Sequence, residues 1–236
     1  MDAQPAAEAL TGRVETSDAI RRAPAPALAG DRRAAARRVK RAVDVVGALV
    51  LLALLWPLFV AVAVLVSLDG GPVFYGHRRV GRGGRAFDCL KFRTMIPGAA
   101  ECLREYLSYH PAASVEWHAS QKLARDPRVT PVGAFLRRSS LDELPQLVNV
   151  LRGEMSLVGP RPVTRSEMEH YGPVAALYAS VPPGMTGLWQ VSGRSDVGYA
   201  ARVALDQQYV ERWSLLHDLA ILLVTPRVVL QRSGAR

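Results

Sequence analysis

The hydrophobic residues of the chain are concentrated in one block, Ala42 to Leu68, which carries a single charged residue, Asp44. A helix that crosses a bilayer needs roughly 20 apolar residues, and the block exceeds that length. The pair Trp56-Pro57 lies at its middle. The pattern therefore predicts a membrane-embedded segment over residues 39–70.

Basic residues flank this block on both sides: Arg37, Arg38, Lys40 and Arg41 before it, and Arg78, Arg79, Arg82 and Arg85 after it. The positive-inside rule should leave one flank of a spanning helix poor in Lys and Arg. Pro57 removes a helix hydrogen bond, and each half of the block, about 20 Å long, is shorter than a hydrocarbon core of roughly 30 Å. These features favour a helix–break–helix that enters and leaves on the cytoplasmic face. The alternative is one spanning helix with a tolerated proline.

Shorter periodic segments follow the block. Strand-like residues on either side of the glycine-rich turn Gly81 to Gly84 predict a β-hairpin. Helical patterns follow over 99–109, 112–122, 131–138, 203–213 and 215–230. The last of these is strongly apolar but carries His217, Asp218 and Arg227, so it suits a helix lying on the membrane rather than a span.

The predicted fold class is α+β and mainly helical. It comprises a re-entrant membrane helix over 39–70, a short β-hairpin, and a cytoplasmic globular domain with interfacial amphipathic helices over 71–230. Residues 1–38 are rich in Ala, Pro and Arg and lack apolar periodicity, which predicts a disordered basic tail.

The charge balance calls for an anionic partner. The chain has 30 Lys and Arg against 21 Asp and Glu, a net charge of +9. Almost all of the positive charge is arginine, whose planar guanidinium suits phosphate oxygens, although a GC-rich genome would give the same bias. We expect anionic lipid or phosphorylated substrates and no nucleic acid, because no nucleic-acid-binding module is recognisable. The isolated Cys89 and Cys102 predict free thiols rather than a disulfide or metal site.

One stretch, Arg137 to Pro162, carries the candidate chemistry. It places the adjacent acids Asp142 and Glu143 between arginines, an arrangement that suits attack on a phosphate or the holding of a metal. Ser140 and Glu143 also fit an S-x-x-E capping box, which on spacing alone is the commoner explanation. Pro145 weakens the box, because a proline in the first turn moves the helix start towards Asp142. Either way, a helix N-terminus should lower the pKa of these acids and keep them ionised.

A Pro/Gly-rich loop over residues 181–194 contains Trp189, Gln190 and Arg194. An indole face, an amide and a guanidinium could together bind a nucleobase or a sugar. A surface loop with a packed Trp explains the same residues equally well.

Several motifs occur together in this order: KRAVDVVGALVLLALLWPL, GPVFYGHRRVG, KFRTM, RRSSLDELPQLVNVLRGEMSLVGPRP and TGLWQVSGRSD. Over roughly Lys40 to Pro226 the chain resembles the bacterial sugar transferases that act on polyprenyl phosphate, the monotopic phosphoglycosyl transferases. With no further apolar blocks, it is similar to the short form, the undecaprenyl-phosphate galactose or glucose phosphotransferases of exopolysaccharide synthesis. It departs from the family in having Trp56, where Ser often precedes the proline.

The resemblance implies an enzyme of the inner (cytoplasmic) membrane that faces the cytoplasm. It would move a sugar phosphate from a UDP-sugar to undecaprenyl phosphate and release UMP. By the S-L-D-E-L match, Asp142 would attack the β-phosphate, and Glu143 would support it either through Mg²⁺ or by positioning the acceptor. Mg²⁺ is the implied cofactor, held by these two acids. Residues expected to bind phosphate or the nucleotide sugar are Lys91, Arg93, Arg137, Arg138, Arg161, Gln190, Arg194 and Asp206.

A non-enzymatic alternative is a membrane-anchored scaffold whose basic surface binds anionic lipid or polysaccharide machinery. Such a protein would have no need of an acid pair between arginines. Asp142 therefore separates the two hypotheses.

Overall fold

We describe a computed structural model of the chain over residues 27–120, 122–192 and 198–230. The contacts reported below lie within one unit, Lys40–Arg236. The fold is mainly helical. The helices are α1 (Ala27–Ser67), α2 (Ala99–Tyr109), α3 (Pro111–Ser120), α4 (Pro131–Ser139), α5 (Gln146–Arg152), α6 (Ala175–Tyr178), α7 (Leu188–Val191), α8 (Tyr199–Glu211) and α9 (Leu215–Leu230). The strands are β1 (Phe74–Val80), β2 (Ala86–Phe92), β3 (Ser156–Val158) and β4 (Gly184–Thr186).

One face of α1 packs on the rest of this unit and the opposite face is exposed. Asp44, Ala48, Val62 and Val66 are buried at spacings that fall on one side of a helix. The exposed side chains are large and apolar, and Leu54 among them is 72% exposed. By length and composition, residues 34–67 form a helix apolar enough to cross a membrane. The exposed face is compatible with the predicted embedding.

The backbone of α1 remains helical through Pro57, so the predicted break at mid-block is wrong. A proline removes one helix hydrogen bond, and its neighbours can keep helical geometry when other contacts hold them. The helix also begins at Ala27, inside the segment predicted as a tail. Residues 27–38 are rich in Ala and Arg, both strong helix formers. Residues 1–26 lie outside the described part.

The predicted β-hairpin is confirmed. β1 and β2 pair antiparallel from Phe74 opposite Phe92 to Val80 opposite Ala86, around the predicted glycine-rich turn. A second, parallel pair joins β3 to β4, with Ser156 opposite Gly184. Its strands have only three residues each, too few to show a period in the sequence. The helices predicted over 99–109 and 215–230 are confirmed with those bounds.

Two apolar clusters join α1 to the strands and helices that surround the acid pair. The first joins Ala48 of α1 to Phe87 of β2, Leu147 of α5 and Ile221 of α9. The second comprises Val62 and Val66 of α1, Phe92 of β2 and Leu136 of α4, with Leu141 and Leu144 packed against it. Both halves of the apolar segment of α1 therefore pack on the elements that hold the candidate active site.

Polar contacts fix α1 at the start of its part within this unit, at Lys40 and Arg41. Lys40 Nζ lies 2.6 Å from Asp218 Oδ2 of α9. Arg41 donates to the carbonyls of Val150 and Leu151 at 2.6 and 2.8 Å, at the C-terminal end of α5. These basic residues, read from the sequence as signals of membrane orientation, serve here as intramolecular anchors.

Arg93 fixes the other end of α1. It donates to the carbonyl of Val66 at 3.0 Å, in the last turn of the helix. Its remaining N–H groups donate to the carbonyls of Pro72 and Met95 and to both carboxylate oxygens of Asp69. All five N–H groups of the guanidinium are thus occupied by protein acceptors.

Candidate active site

The acid pair lies in a tight turn between two helices. α4 begins with a cap in which Thr130 Oγ1 accepts from the Gly133 amide at 2.9 Å, and it ends at Ser140, whose φ of 57° is left-handed. A 3₁₀ turn, Leu141–Glu143, follows directly. Because the flanking leucines pack into the second apolar cluster, the carboxylates between them are held away from that cluster.

The capping box suggested by the S-x-x-E spacing is not formed. The Ser140 side chain makes no capping hydrogen bond, and α5 begins at Gln146, with Pro145 before it. The expectation that a helix start lowers the pKa of Asp142 is wrong. Asp142 is buried, and its pKa is raised by loss of solvent and by the charge of Glu143, against the opposing effect of Lys91.

Lys91 of β2 bridges the two acids. Its Nζ lies 3.2 Å from Asp142 Oδ2 and 2.7 Å from Glu143 Oε1. Burial works to lower the pKa of Lys91, but the charges of Glu143 and Asp142 outweigh it and raise that pKa. The ammonium is therefore charged, and it offsets the cost of keeping a buried carboxylate ionised.

Asn149 fixes the distance between the strand that carries Lys91 and the helix that follows the acids. Its fully buried amide accepts from the Leu90 N–H at 2.9 Å and donates to the Asp88 carbonyl at 2.8 Å. It also donates to Glu154 at 2.7 Å. Sequence reasoning missed this residue, which lies on the apolar helix of the central stretch with no motif of its own.

A recess opens beside the acid pair. Its polar lining residues are three cations, one acid and two amides: Arg79, Lys91, Arg161, Glu143, Gln146 and Gln190. Cys89, Pro162 and Met185 complete the lining. Arg79 is paired with Glu167 at 2.8 Å. In the described residues, Arg161 has no carboxylate within ion-pair distance, and its guanidinium stacks 5.1 Å from the Trp189 ring centre. The recess therefore offers an anionic ligand a guanidinium that is not held in an ion pair with a carboxylate.

Asp206 is buried next to Arg161 and does not itself line the recess. It is 2% exposed, and its carboxylate accepts from the Tyr171 hydroxyl at 2.7 Å and from the backbone of Arg161. Burial raises the pKa of Asp206 to about 6. The residue predicted to bind the nucleotide sugar thus positions the turn that carries Arg161.

Polar atoms without partners gather at the same place. In the described part of the chain, four buried side-chain atoms lack a hydrogen bond: Trp189 Nε1, Gln190 Oε1, Arg202 Nε and Asp206 Oδ1. Arg202 stacks 4.3 Å from the Trp189 ring centre, on α8 one turn before Asp206. Buried polar atoms are normally satisfied, so these groups mark a region prepared for a polar ligand or water. Sequence reasoning missed Arg202, although its four-residue spacing from Asp206 was a usable signal.

The other predicted site residues are spread around the acid pair. Arg137 donates from Nε to Thr94 Oγ1 at 2.9 Å, and Arg138 is exposed in the last turn of α4. Arg93 faces the end of α1, with its donors occupied as described above. Arg194 lies outside the described residues.

Over the described ranges, no group of three or more His, Cys, Asp or Glu side chains could hold a metal ion. Mg²⁺ commonly uses one or two carboxylates and completes its shell with substrate phosphates and water. Asp142 and Glu143 fit that second kind of site. They do not form a protein-only metal cage.

The amino-acid sequence is similar to those of known proteins. The family model for bacterial sugar transferases matches residues 35–232. The chain is 56% identical over 197 residues to the exopolysaccharide production protein ExoY of Rhizobium meliloti, covering 83% of this chain and 87% of that protein. It is 55% identical over 199 residues to the UDP-galactose-lipid carrier transferase of Erwinia amylovora and 51% identical over 199 residues to the undecaprenyl-phosphate galactose phosphotransferase of Salmonella typhimurium.

Each of the latter two matches covers 84% of this chain but 42% of the relative, so the chain spans less than half of their length. The family match itself covers most of the chain, including α1, the hairpin and the acid pair. The chain therefore belongs to the bacterial sugar transferase family.

Proposed function

We propose that this protein transfers a sugar 1-phosphate from a UDP-sugar to undecaprenyl phosphate, as an early membrane step of exopolysaccharide synthesis. The observation that carries the proposal is the contact of Lys91 with both Asp142 and Glu143 beside an arginine-lined recess. The relatives named as a UDP-galactose-lipid carrier transferase and an undecaprenyl-phosphate galactose phosphotransferase support the donor and acceptor classes.

Two displacements at one phosphorus account for the reaction. An Asp142 carboxylate oxygen attacks the β-phosphorus of the UDP-sugar, and the bond from that phosphorus to the UMP oxygen breaks. UMP leaves with the electron pair, and the sugar phosphate stays on Asp142 as an acyl phosphate. A phosphate oxygen of undecaprenyl phosphate then attacks the same phosphorus, which releases the Asp142 carboxylate and gives undecaprenyl diphosphate sugar.

The residues around Asp142 prepare it for this role. Burial keeps the carboxylate poorly solvated and therefore reactive, while Lys91 favours its ionised form. Arg161 lines the recess, and its guanidinium, which has no carboxylate within ion-pair distance among the described residues, suits the donor diphosphate. Bound Mg²⁺, held by Glu143 beside Asp142, would neutralise charge on the diphosphate.

We place the reaction at the cytoplasmic face of the inner membrane, with α1 lying along that face as one unbroken helix. The packing of α1 supports this topology. Its buried face runs from Asp44 to Val66 against a single body, so both ends of the apolar segment contact the same domain. A helix spanning along the bilayer normal would carry one end away from that domain to the opposite side.

Intact-protein mass spectrometry tests the chemistry. Purified protein mixed with UDP-glucose or UDP-galactose and no acceptor should gain the mass of one sugar phosphate and release one equivalent of UMP. Asp142→Asn should show neither, because the attacking oxygen is gone. Asp88→Asn is the matched control, since Asp88 pairs with Arg78 on the surface, where both side chains are more than half exposed. Retention of the adduct in Asp142→Asn would rule out this nucleophile.

A further inference from the structure

Two arginines lie over the ring of one buried tryptophan at the edge of the recess. The guanidinium carbon of Arg161 is 5.1 Å from the Trp189 ring centre, and that of Arg202 is 4.3 Å from the same centre. Arg161 lines the recess, and Arg202 lies on α8. Trp189 is 4% exposed, so its ring is the link between the helix and the recess.

We infer that Arg202 is a positioning residue for the donor: together with Trp189 it holds the Arg161 guanidinium at the recess, in place to bind the diphosphate of the UDP-sugar. The inference rests on the proposed function, in which Arg161 binds that diphosphate. It gives Trp189 and Arg202 a role that is exerted through Arg161.

The backbone of Arg161 is fixed by two buried side chains. Its carbonyl accepts from the Tyr178 hydroxyl at 2.9 Å, and its backbone N–H donates to the Asp206 carboxylate. The guanidinium is held differently. Among the described residues it makes no hydrogen bond or ion pair, and its contact is with the Trp189 ring. The orientation of the charged group therefore depends on that ring.

The segments that carry Arg161 and Trp189 are in direct backbone contact. The Gly159 amide donates to the Thr186 carbonyl at 2.9 Å. A Cβ added at Gly187 would clash with the Gly159 carbonyl oxygen, so the two segments approach as closely as glycine allows. Each contact lies two or three residues before Arg161 or Trp189. The distance between the guanidinium and the indole is thus set by the backbone.

Arg202 is held by aromatic rings. Besides Trp189, it lies 4.8 Å from the Tyr199 ring centre, and the Tyr199 hydroxyl donates to the Glu167 carbonyl at 3.2 Å. In the described part of the chain its Nε has no hydrogen-bond partner. A guanidinium within about 6 Å of a ring centre is attracted by the ring. Arg202 therefore restrains the Trp189 ring and ties it to Tyr199.

Asp206 limits the repulsion between the two guanidiniums. The positive charges of Arg202 and Arg161 both act on its buried carboxylate. Two like charges over one ring repel each other, and a carboxylate within reach of both offsets part of that cost. The arrangement can therefore persist without a ligand, with the Arg161 N–H groups left for an incoming phosphate.

The simpler explanation is that Arg202 only stabilises α8. A double-mutant cycle separates the two explanations, because residues that act through one another lose their effects non-additively. UDP is the probe, since it carries the diphosphate and no sugar, so the unknown sugar preference does not enter. Its Kd is measured by titration calorimetry with the full chain in detergent.

Arg202→Met should weaken UDP binding about fivefold, the loss expected for one half-buried cation–π contact. Arg161→Met should weaken it about thirtyfold, since a charged donor to the diphosphate is lost. The double variant should bind UDP within about twofold of Arg161→Met alone, because Arg202 has no guanidinium left to position.

Arg212→Met is the matched control, since Arg212 is an exposed arginine directly after α8. It should leave the Kd for UDP unchanged. The assignment is overturned if Arg202→Met binds UDP within twofold of Arg212→Met, or if the two losses multiply in the double variant. Arg202→Gln, which keeps a polar side chain, replaces Arg202→Met in the cycle if the latter does not stay folded.

The binding measurement needs no turnover, which keeps the two proposals distinguishable. If the unmodified protein binds UDP but forms no sugar-phosphate adduct from a UDP-sugar, the proposed function fails and the cycle still tests Arg202. If the adduct forms and the losses multiply, the proposed function stands and the positioning role of Arg202 is overturned. Absence of UDP binding by the unmodified protein would overturn that role as well.

Discussion

Arg93 donates to the carbonyl of Val66 at 3.0 Å and so joins the last turn of α1 to the strand that carries Lys91 two residues earlier. Arg93, the residue directly after β2, thus contacts the end of α1, and Lys91 within β2 contacts the acid pair. The position of Lys91 relative to α1 is therefore fixed by β2 itself.

Replacing Arg93 should cost stability. Arg93→Met would leave the carbonyls of Val66, Pro72 and Met95 without a donor, and we expect a loss of about 2 kcal/mol. Thermal unfolding in detergent measures this. Arg104→Met, which removes an exposed pair with Glu101, should change the midpoint little. If Arg93→Met kept its stability but bound the UDP-sugar more weakly, the prediction that Arg93 contacts a substrate phosphate would be supported instead.

Replacing Lys91 should change the pH dependence of the first step. Lys91 favours ionised Asp142 against the effect of burial, so Lys91→Met should raise the pKa of Asp142 further. Because the proposed attack needs an ionised carboxylate, the acidic limb of UMP release should move to higher pH. Lys91→Arg keeps the charge and should move the limb less. If the acidic limb moved equally in Lys91→Met and Lys91→Arg, the positive charge of residue 91 would not be what sets the pKa of Asp142.

Asp206 provides a stability prediction with a defined sign. Burial raises the pKa of Asp206 in the folded protein to about 6 from its ordinary value of 3.8, so between these pH values the folded protein binds the proton more tightly than the unfolded chain. The contribution of Asp206 to stability is thus largest below pH 4 and falls as pH rises to about 6.

Asp206→Asn removes this titration and keeps an acceptor for Tyr171. From pH 4 to pH 7 the stability of the variant relative to the unmodified protein should rise by on the order of 2–3 kcal/mol. Unfolding midpoints across that range measure the difference. Asp88→Asn, at an exposed position, should show no such trend, and a flat difference for Asp206→Asn would contradict a raised pKa.

The sequence was sufficient for features that depend on local pattern. The glycine turn between two strand-like segments predicted the hairpin, and the S-L-D-E-L motif with its arginines identified the acid pair. The family resemblance assigned Lys91 to phosphate binding but did not predict its contact with residues 51 and 52 positions away, since spacing along the chain does not specify which strand faces which turn.

Other features depend on contacts between distant residues, which the periodic pattern of apolar residues does not predict. Asn149 sits within an apolar helix, and only the position of β2 shows that its amide bonds to both Leu90 and Asp88. The pKa of Asp142 was predicted with the wrong sign because the argument considered the helix start and not the burial of the turn. Arg93 lay close to Lys91 in sequence, yet its donors are occupied by the end of α1.

The packing of α1 has a consequence for how the enzyme works on a fluid surface. Lys40 and Arg41 at one end and Val66 at the other are all bonded to the same domain, so a movement of the helix must carry the domain with it. With α1 embedded as proposed, its depth in the lipid would determine the height of Asp142 above the headgroups. Asp142 would then meet the acceptor phosphate at one fixed height above the bilayer, and that height would not depend on the length of the acceptor's lipid tail.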